Sequence, residues 1–366
     1  MPVPSSSTDS ELRTYFGKNA EQLVSRKTRV PFLTPGAKEH QDRQESDRAG
    51  TPFVAVASPQ AADVFALPLR WAHYLQTGTT GEAALFAEEA AQYGRKVLVW
   101  HPSDLPAVVP FPNAIFLEHG PYQSKRRAFH YAAPRFVDDQ RLLADGNGAQ
   151  VRRKSQKPVV GFCGLANPSL PRIAKSILVG SLHNLNPRQR RKYEPLPLLP
   201  ATVLRKRLLN RLQRDRRIDA RFIIRARAFK LGNLAPNAQV SAEIAARRRE
   251  YCENVLNTDY TLCVRGYGNW SYRFYETLAC GRIPVFVDTD CVLPFENVID
   301  WKSHCVWVDA SETAHVADKI VEFHDKLSDE EFAEKQRACR QLWEDRLSGP
   351  GFTRYLPEYL RAEKAV

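Results

Sequence analysis

Short apolar runs alternate with longer amphipathic stretches along most of the chain. Phe53-Val54-Ala55-Val56-Ala57, Lys96-Val97-Leu98-Val99-Trp100 and Ala114-Ile115-Phe116-Leu117 have the length and side-chain character of buried strands. Helical stretches lie between them, around residues 61–76 and 82–93. The alternation returns after residue 157. Pro158–Gly164, Arg221–Ile224, Tyr260–Val264, Ile283–Val287 and Cys305–Val308 read as strands. Residues 201–213, 239–256 and 271–280 read as helices, and polar helices follow from about residue 311. Strands separated by helices predict parallel sheets in an α/β fold.

The turn Asp145-Gly146-Asn147-Gly148 and the basic Arg152-Arg153-Lys154 after it mark a boundary. The expected organisation is a flexible polar lead over 1–50, a first domain over 51–154, a second over 155–345 and a helical tail over 346–366. Within the lead, a short helix from Ser10 to Ser25 is expected, with Asp9 as its cap.

Composition narrows the class. The chain has 366 residues, 43% hydrophobic and 26% charged, which excludes a collagen, a disordered chain and a small disulfide scaffold. This length suits two domains of roughly 100–200 residues each. The net charge of +12 suggests an anionic partner, but the excess is local. Residues 151–250 hold 24 Lys and Arg against 5 Asp and Glu, whereas 1–150 sum to zero and 251–366 to −7. That stretch has no zinc spacing, no RNA-recognition signature and no aromatic interleaving, so no nucleic acid is expected as a partner. Three readings of it stay open. Its cations form solvated helix faces, or draw an anionic substrate to a cleft, or touch anionic lipid. Seven cysteines, none in a CxxC pair, read as buried thiols of a reducing compartment. The first residues lack the pattern of a signal peptide, and no apolar run is long enough to span a bilayer. The expectation is a cytoplasmic protein, peripheral at most to the inner face of a membrane.

The densest chemistry lies between Cys263 and Val285. A strand ends in Arg265-Gly266-Tyr267-Gly268, and a helix starts near Ser271, a suitable N-cap. Glycines let a backbone approach a ligand, and a helix N-terminus presents free N–H groups and partial positive charge, so the pair forms a phosphate site. Arg265 sits at the carboxyl end of its strand, where open α/β sheets bind ligands. Arg273 and Glu276 share a helix face; beside a diphosphate, that carboxylate can accept from ribose hydroxyls. A surface ion pair and a simple turn fit the same residues.

In order, Arg265-Gly266, Ser271, Arg273, Glu276, Leu278, Gly281, Ile283-Pro284-Val285, Leu293-Pro294-Phe295 and Ile299-Asp300-Trp301 resemble the exostosin family of glycosyltransferases, glycosyltransferase family 47. Val159–Gly164, Ala66-Leu67-Pro68 and Pro134–Asp139 extend the resemblance more loosely. It implies a GT-B-like architecture, two Rossmann-like domains facing a cleft. The first domain would take the acceptor, and the second would bind a nucleotide sugar, usually a UDP-sugar. It also implies inversion at the anomeric carbon with no obligatory metal or other cofactor, the nucleotide sugar being a co-substrate. Arg265 and Arg273 would contact the diphosphate, with Gly266 in the same loop. Ser271 and the helix start would hold phosphate or sugar, and Glu276 the ribose. The expected partners are a nucleotide sugar and a glycan or glycolipid acceptor of polysaccharide biosynthesis, with peripheral contact to an anionic membrane. Animal members carry a membrane anchor and often a second catalytic domain, so this sequence looks more like the shorter, single-module members. A GDP-fucose-dependent GT-B enzyme and a non-catalytic basic binding protein on the same fold are the alternatives.

Inverting transfer needs a general base for the acceptor hydroxyl. Glu118, His119 and Asp63 are the leading candidates, with His101, Asp104, Asp138 and Asp139 also near strand ends. Asp288-Thr289-Asp290 spells the DxD that binds a divalent cation in other glycosyltransferases; two aspartates in a turn are also common, and no metal ligand is assigned.

Overall fold

The computed structural model describes residues 11–17, 30, 52–137, 149–225 and 238–366. Two sheets, each parallel throughout, carry the chain. The first contains β1 (Leu12–Tyr15), β2 (Phe53–Ala55), β3 (Val64–Ala66), β4 (Val97–His101), β5 (Ala114–Glu118) and β6 (His130–Ala132), in the order β2-β1-β3-β4-β5-β6. Helices α1 (Trp71–Thr77) and α2 (Thr80–Gln92) join β3 to β4. Every residue of β4 and β5 is buried, as expected of central parallel strands covered on both faces.

The second sheet contains β7 (Val159–Leu165), β8 (Asp219–Arg225), β9 (Tyr260–Cys263), β10 (Ile283–Asp288) and β11 (Val306–Asp309), in the order β11-β10-β9-β7-β8. Helices α3 (Leu170–Leu185) and α4 (Ala201–Arg214) lie between β7 and β8, and α5 (Ala238–Leu256) between β8 and β9. Helix α6 (Tyr272–Ala279) joins β9 to β10 and buries Phe274 against Phe286 and Trp301. Then follow α7 (Val316–Asp325), α8 (Asp329–Leu342), opened by a Ser328–Glu331 capping box, and α9 (Gly349–Ala362). Two parallel sheets flanked by helices make an α/β fold of two halves, consistent with the GT-B architecture that the sequence implied.

The halves interleave. Residues 106–108 pair with 192–194, and Val292 donates to the Pro121 carbonyl. Helix α9 returns to the first sheet, where Phe352 packs on Trp100 and Phe136 and Tyr359 on Tyr131. The side chain of Lys96 bonds the Lys364 carbonyl.

The amino-terminal expectation needs correction. Residues 12–15 are not part of a helix but form β1, inserted between β2 and β3. Leu12 and Tyr15 are buried there, so order reaches Leu12 and does not begin near Thr51. All seven cysteines are unpaired thiols, six of them buried.

Candidate active site

In both sheets the strands run parallel, so each sheet gathers its loops at one carboxyl edge. The two edges meet. Gly268 abuts the backbone of Asp104, and Gly120, at φ +58°, abuts Asn269 and Trp270. Asn269 donates to the Asp290 carbonyl, and Ser124 donates its N–H to the Asp290 carboxylate at 3.0 Å.

The loop after β9 is closed on itself. The Gly266 N–H donates to the Trp270 carbonyl at 2.7 Å, so it closes the loop and is not held out for a ligand. Gly268 supplies room for Asp104. Ser271 does precede α6, in extended conformation and buried, and its side chain makes no capping bond. Its hydroxyl is therefore not used to cap α6.

Three arginines converge on this edge. Arg273 crosses Phe162 and donates to the Cys163 carbonyl at 2.7 Å. Arg265 donates to the Leu199 carbonyl at 3.0 Å. Arg205, from α4, donates to the carbonyls of Leu165, Val264 and Arg265. All three spend their bonds on backbone carbonyls, and among the described residues none has an ion-paired carboxylate. The buried Nε atoms of Arg205 and Arg273 have no partner at all. Burial, and then repulsion from Arg273 and Arg265, lowers the pKa of Arg205, and burial lowers that of Arg265. A cluster of half-buried cations whose bonds go to backbone carbonyls is a site that favours an anion.

Arg205 is the residue that sequence reasoning missed. It fell within the basic stretch 151–250, whose three readings stay open in the sequence. The signal was nonetheless there. Arg205 falls on the helix face of Ala201, Leu208, Leu209 and Leu212, all buried.

Glu276 lies on α6 below this cluster and is buried. Tyr251 donates its hydroxyl to one carboxylate oxygen and Arg248 a guanidinium N–H to the other, at 3.4 Å. Burial raises its pKa. Arg273 and Glu276 thus have separate partners and do not form the helix-surface ion pair that their spacing allowed.

The DxD does not present two converging carboxylates. Asp288 accepts from the Cys291 N–H at 2.9 Å, and Asp290, at φ +69°, is held by both N–H and hydroxyl of Ser124. It fastens the halves together. Among the described residues no group of three or more metal-ligating side chains converges.

Across the junction, the carboxyl ends of β4 and β5 and the start of β6 bring together His101, Glu118, His119 and His130. Glu118 accepts from His130 Nε2 at 2.9 Å and from the Ala107 N–H at 3.3 Å. It opens onto a cavity of about 370 Å³ that Phe111, Phe116, Tyr122, Lys125 and His130 also line. His130 Nδ1 and the Tyr122 hydroxyl are buried without partners. His119 donates Nδ1–H to the Ala133 carbonyl at 3.0 Å, which leaves Nε2 as an unpartnered acceptor. Its ring is sealed between Trp100 and Trp270, and burial pulls its pKa down to about 3. His101 bonds the Leu105 carbonyl.

Asp63 is not brought to this site. It precedes β3 at the opposite, amino edge, where Arg13 holds both its oxygens and so lowers its pKa against the opposing effect of burial. Asp104 is near the junction, and burial raises its pKa. Asp138 and Asp139 lie outside the described residues.

Comparison with known proteins meets this geometry at the second sheet. The model of the Exostosin GT47 domain matches residues 202–322, from α4 through α7. Exostosin-1 of Drosophila melanogaster is 38% identical over 73 residues, 20% of this chain and 10% of that protein. Probable glucuronosyltransferase 47 A of Physcomitrium patens is 36% identical over 87 residues, 24% of this chain and 18% of that protein. Probable beta-1,4-xylosyltransferase IRX10L of Arabidopsis thaliana is 35% identical over 66 residues, 18% of this chain and 16% of that protein. The chain thus matches less than a fifth of the length of each of these relatives.

Proposed function

We propose that this chain, whose residues 202–322 match the Exostosin GT47 domain model, is a glycosyltransferase that moves a sugar from a nucleotide-sugar donor to a hydroxyl of a glycan or lipid-linked acceptor, with inversion. The carrying observation is the cluster of Arg205, Arg265 and Arg273, three half-buried cations without an ion-paired carboxylate among the described residues, beside the N-terminus of α6. Departure of the nucleoside diphosphate develops negative charge on its terminal phosphate. The guanidinium groups, the partial positive charge of the α6 N-terminus and the Ser271 hydroxyl would stabilise that charge. The arginines supply the charge that a divalent cation supplies elsewhere, so the proposed reaction requires no metal or other cofactor. UDP-sugars are the proposed donors, in keeping with the sequence resemblance.

Glu118 is the proposed base. Its carboxylate borders a cavity that can seat an acceptor, and His130 and the Ala107 amide orient it. His119, one residue on, is walled in by Trp100 and Trp270 and serves better as a positioning residue between sheet and loop. In this reading Glu276 contributes from beneath, orienting Tyr251 and Arg248 at the donor edge.

The test is nucleotide binding followed by thermal shift. A ligand at about 100 times its dissociation constant should add about 2.7 kcal/mol to the unfolding free energy. UDP is expected to stabilise the chain and Arg205→Met to lower UDP affinity at least tenfold. An Arg205→Met protein that is still folded and binds UDP like the wild type overturns the site. A larger shift with GDP than with UDP would move the donor to the GDP-fucose alternative.

A further inference from the structure

Helix α3 (Leu170–Leu185) and the turn after it present an apolar face that is exposed among the described residues. Of the helix's 16 residues only Gly180 is buried. Leu178, Leu182 and Leu185, spaced to form one stripe, are 60%, 60% and 75% exposed. Val179 is half exposed beside them, and Leu170 projects at the helix start. The patch continues onto exposed Leu198 and Leu199; Leu198 lies against Gly180. Scattered single leucines on a surface are ordinary, but a contiguous stripe is not.

The charge around the patch has one sign. From residue 146 to residue 193 the chain contains no Asp or Glu. Arg172 and Lys175 lie on the helix, and Arg188, Arg190 and Arg191 on the helical turn that follows, all exposed. A second copy of this chain, docked face to face, would set these cations against their own equivalents. An anionic surface suits both features. At 16 residues the helix is too short to span a bilayer of ~30 Å, and no helix of the described residues is long and apolar enough to do so.

We infer that this face docks α3 flat on an anionic lipid bilayer, the leucines entering the acyl boundary and the cations meeting lipid headgroups. The docked face adjoins the proposed donor site, because the Leu199 carbonyl at its edge is the acceptor for Arg265. The inference concerns binding to a bilayer and does not depend on the proposed transfer reaction.

The test is sedimentation of the full chain with vesicles of phosphatidylcholine, with and without phosphatidylglycerol. Partitioning onto the phosphatidylglycerol vesicles is expected to exceed that onto pure phosphatidylcholine at least tenfold at low salt, with each basic residue contributing about 1 kcal/mol near an anionic surface. Combining Leu178→Ser, Leu182→Ser and Leu185→Ser should reduce that partitioning at least tenfold at an unchanged melting temperature, since these side chains are already in water. Lys175→Glu with Arg190→Glu should remove the preference for phosphatidylglycerol. The inference is overturned if the wild type stays in the supernatant, if it binds both vesicle types equally, or if the triple serine variant still partitions. Self-association dispersed by the serine substitutions, without vesicle binding, would assign the face to a second copy and overturn it as well.

Discussion

Gly120→Ala probes the junction on which the proposed site depends. Gly120 has φ +58°, in the left-handed region. A non-glycine residue there costs about 1–2 kcal/mol. The added methyl would also lie 2.5 Å from the Asn269 carbonyl oxygen and 2.7 Å from Trp270 Cβ. Restoring ordinary contact needs the loop to retreat by roughly 1 Å, and overpacking of this kind costs about 1–3 kcal/mol. Asn269 resists, because its side chain holds the Asp290 carbonyl and the Thr289 hydroxyl. The combined destabilisation should be about 2–5 kcal/mol. The loop that retreats is the one that joins Arg265 to Ser271, so the damage should also reach the nucleotide. UDP affinity is expected to fall about tenfold, a change of about 1.4 kcal/mol in binding. Urea denaturation and UDP titration of the same preparation give both numbers. A variant within 0.5 kcal/mol of the wild type in stability, with UDP affinity retained, refutes the close packing of Gly120 on the donor loop.

Two further outcomes follow from the acceptor side. Glu118→Gln keeps one acceptor oxygen for the Ala107 amide and turns its NH2 toward His130 Nε2, which accepts in its other tautomer, but removes the base, so UDP release in the presence of acceptor should fall about 10²–10⁴-fold with UDP affinity intact; a rate within threefold of wild type removes Glu118 from that role. The folded pKa of His119 is about 3, below its unfolded value of about 6.5, so the folded chain binds fewer protons between those values. Its contribution is complete above pH 6.5 and is lost as pH falls toward 3, at up to about 1.4 kcal/mol per pH unit. His119→Asn, which keeps a donor for the Ala133 carbonyl, should flatten the loss of stability between pH 7 and pH 5; an unchanged slope would remove His119 as a source of it.

What could be read in advance depended on how locally each feature is encoded. The strands after residue 157 and helix α6 announce themselves by period and by flanking glycines, and they lie close to where the pattern put them. β1 did not, because four residues are too few to show a period and its partners are at residues 53–55 and 64–65. The same locality divides the site. Ser271 and Arg265 sit in one loop and were legible together. The meeting of Arg205 with Arg273, or of Ser124 with Asp290, is made only by tertiary packing. Glu276 was legible as special, but its burial with Tyr251 and Arg248 was not, since spacing alone equally suits an exposed ion pair.

The return of helix α9 to the first sheet has a consequence for how the chain acquires its fold. Lys96 and Lys364 are 268 positions apart, and Arg361 bonds the carbonyl of Glu11. Trp100 and Tyr131 therefore wait for Phe352 and Tyr359 to cover them. During synthesis the first half emerges well before its cover, with an apolar flank open to solvent, and it can close only after the second sheet has been made. The two halves are thus distinct in topology but sequentially dependent in assembly, and a fragment ending near residue 346 would leave the first of them unfinished.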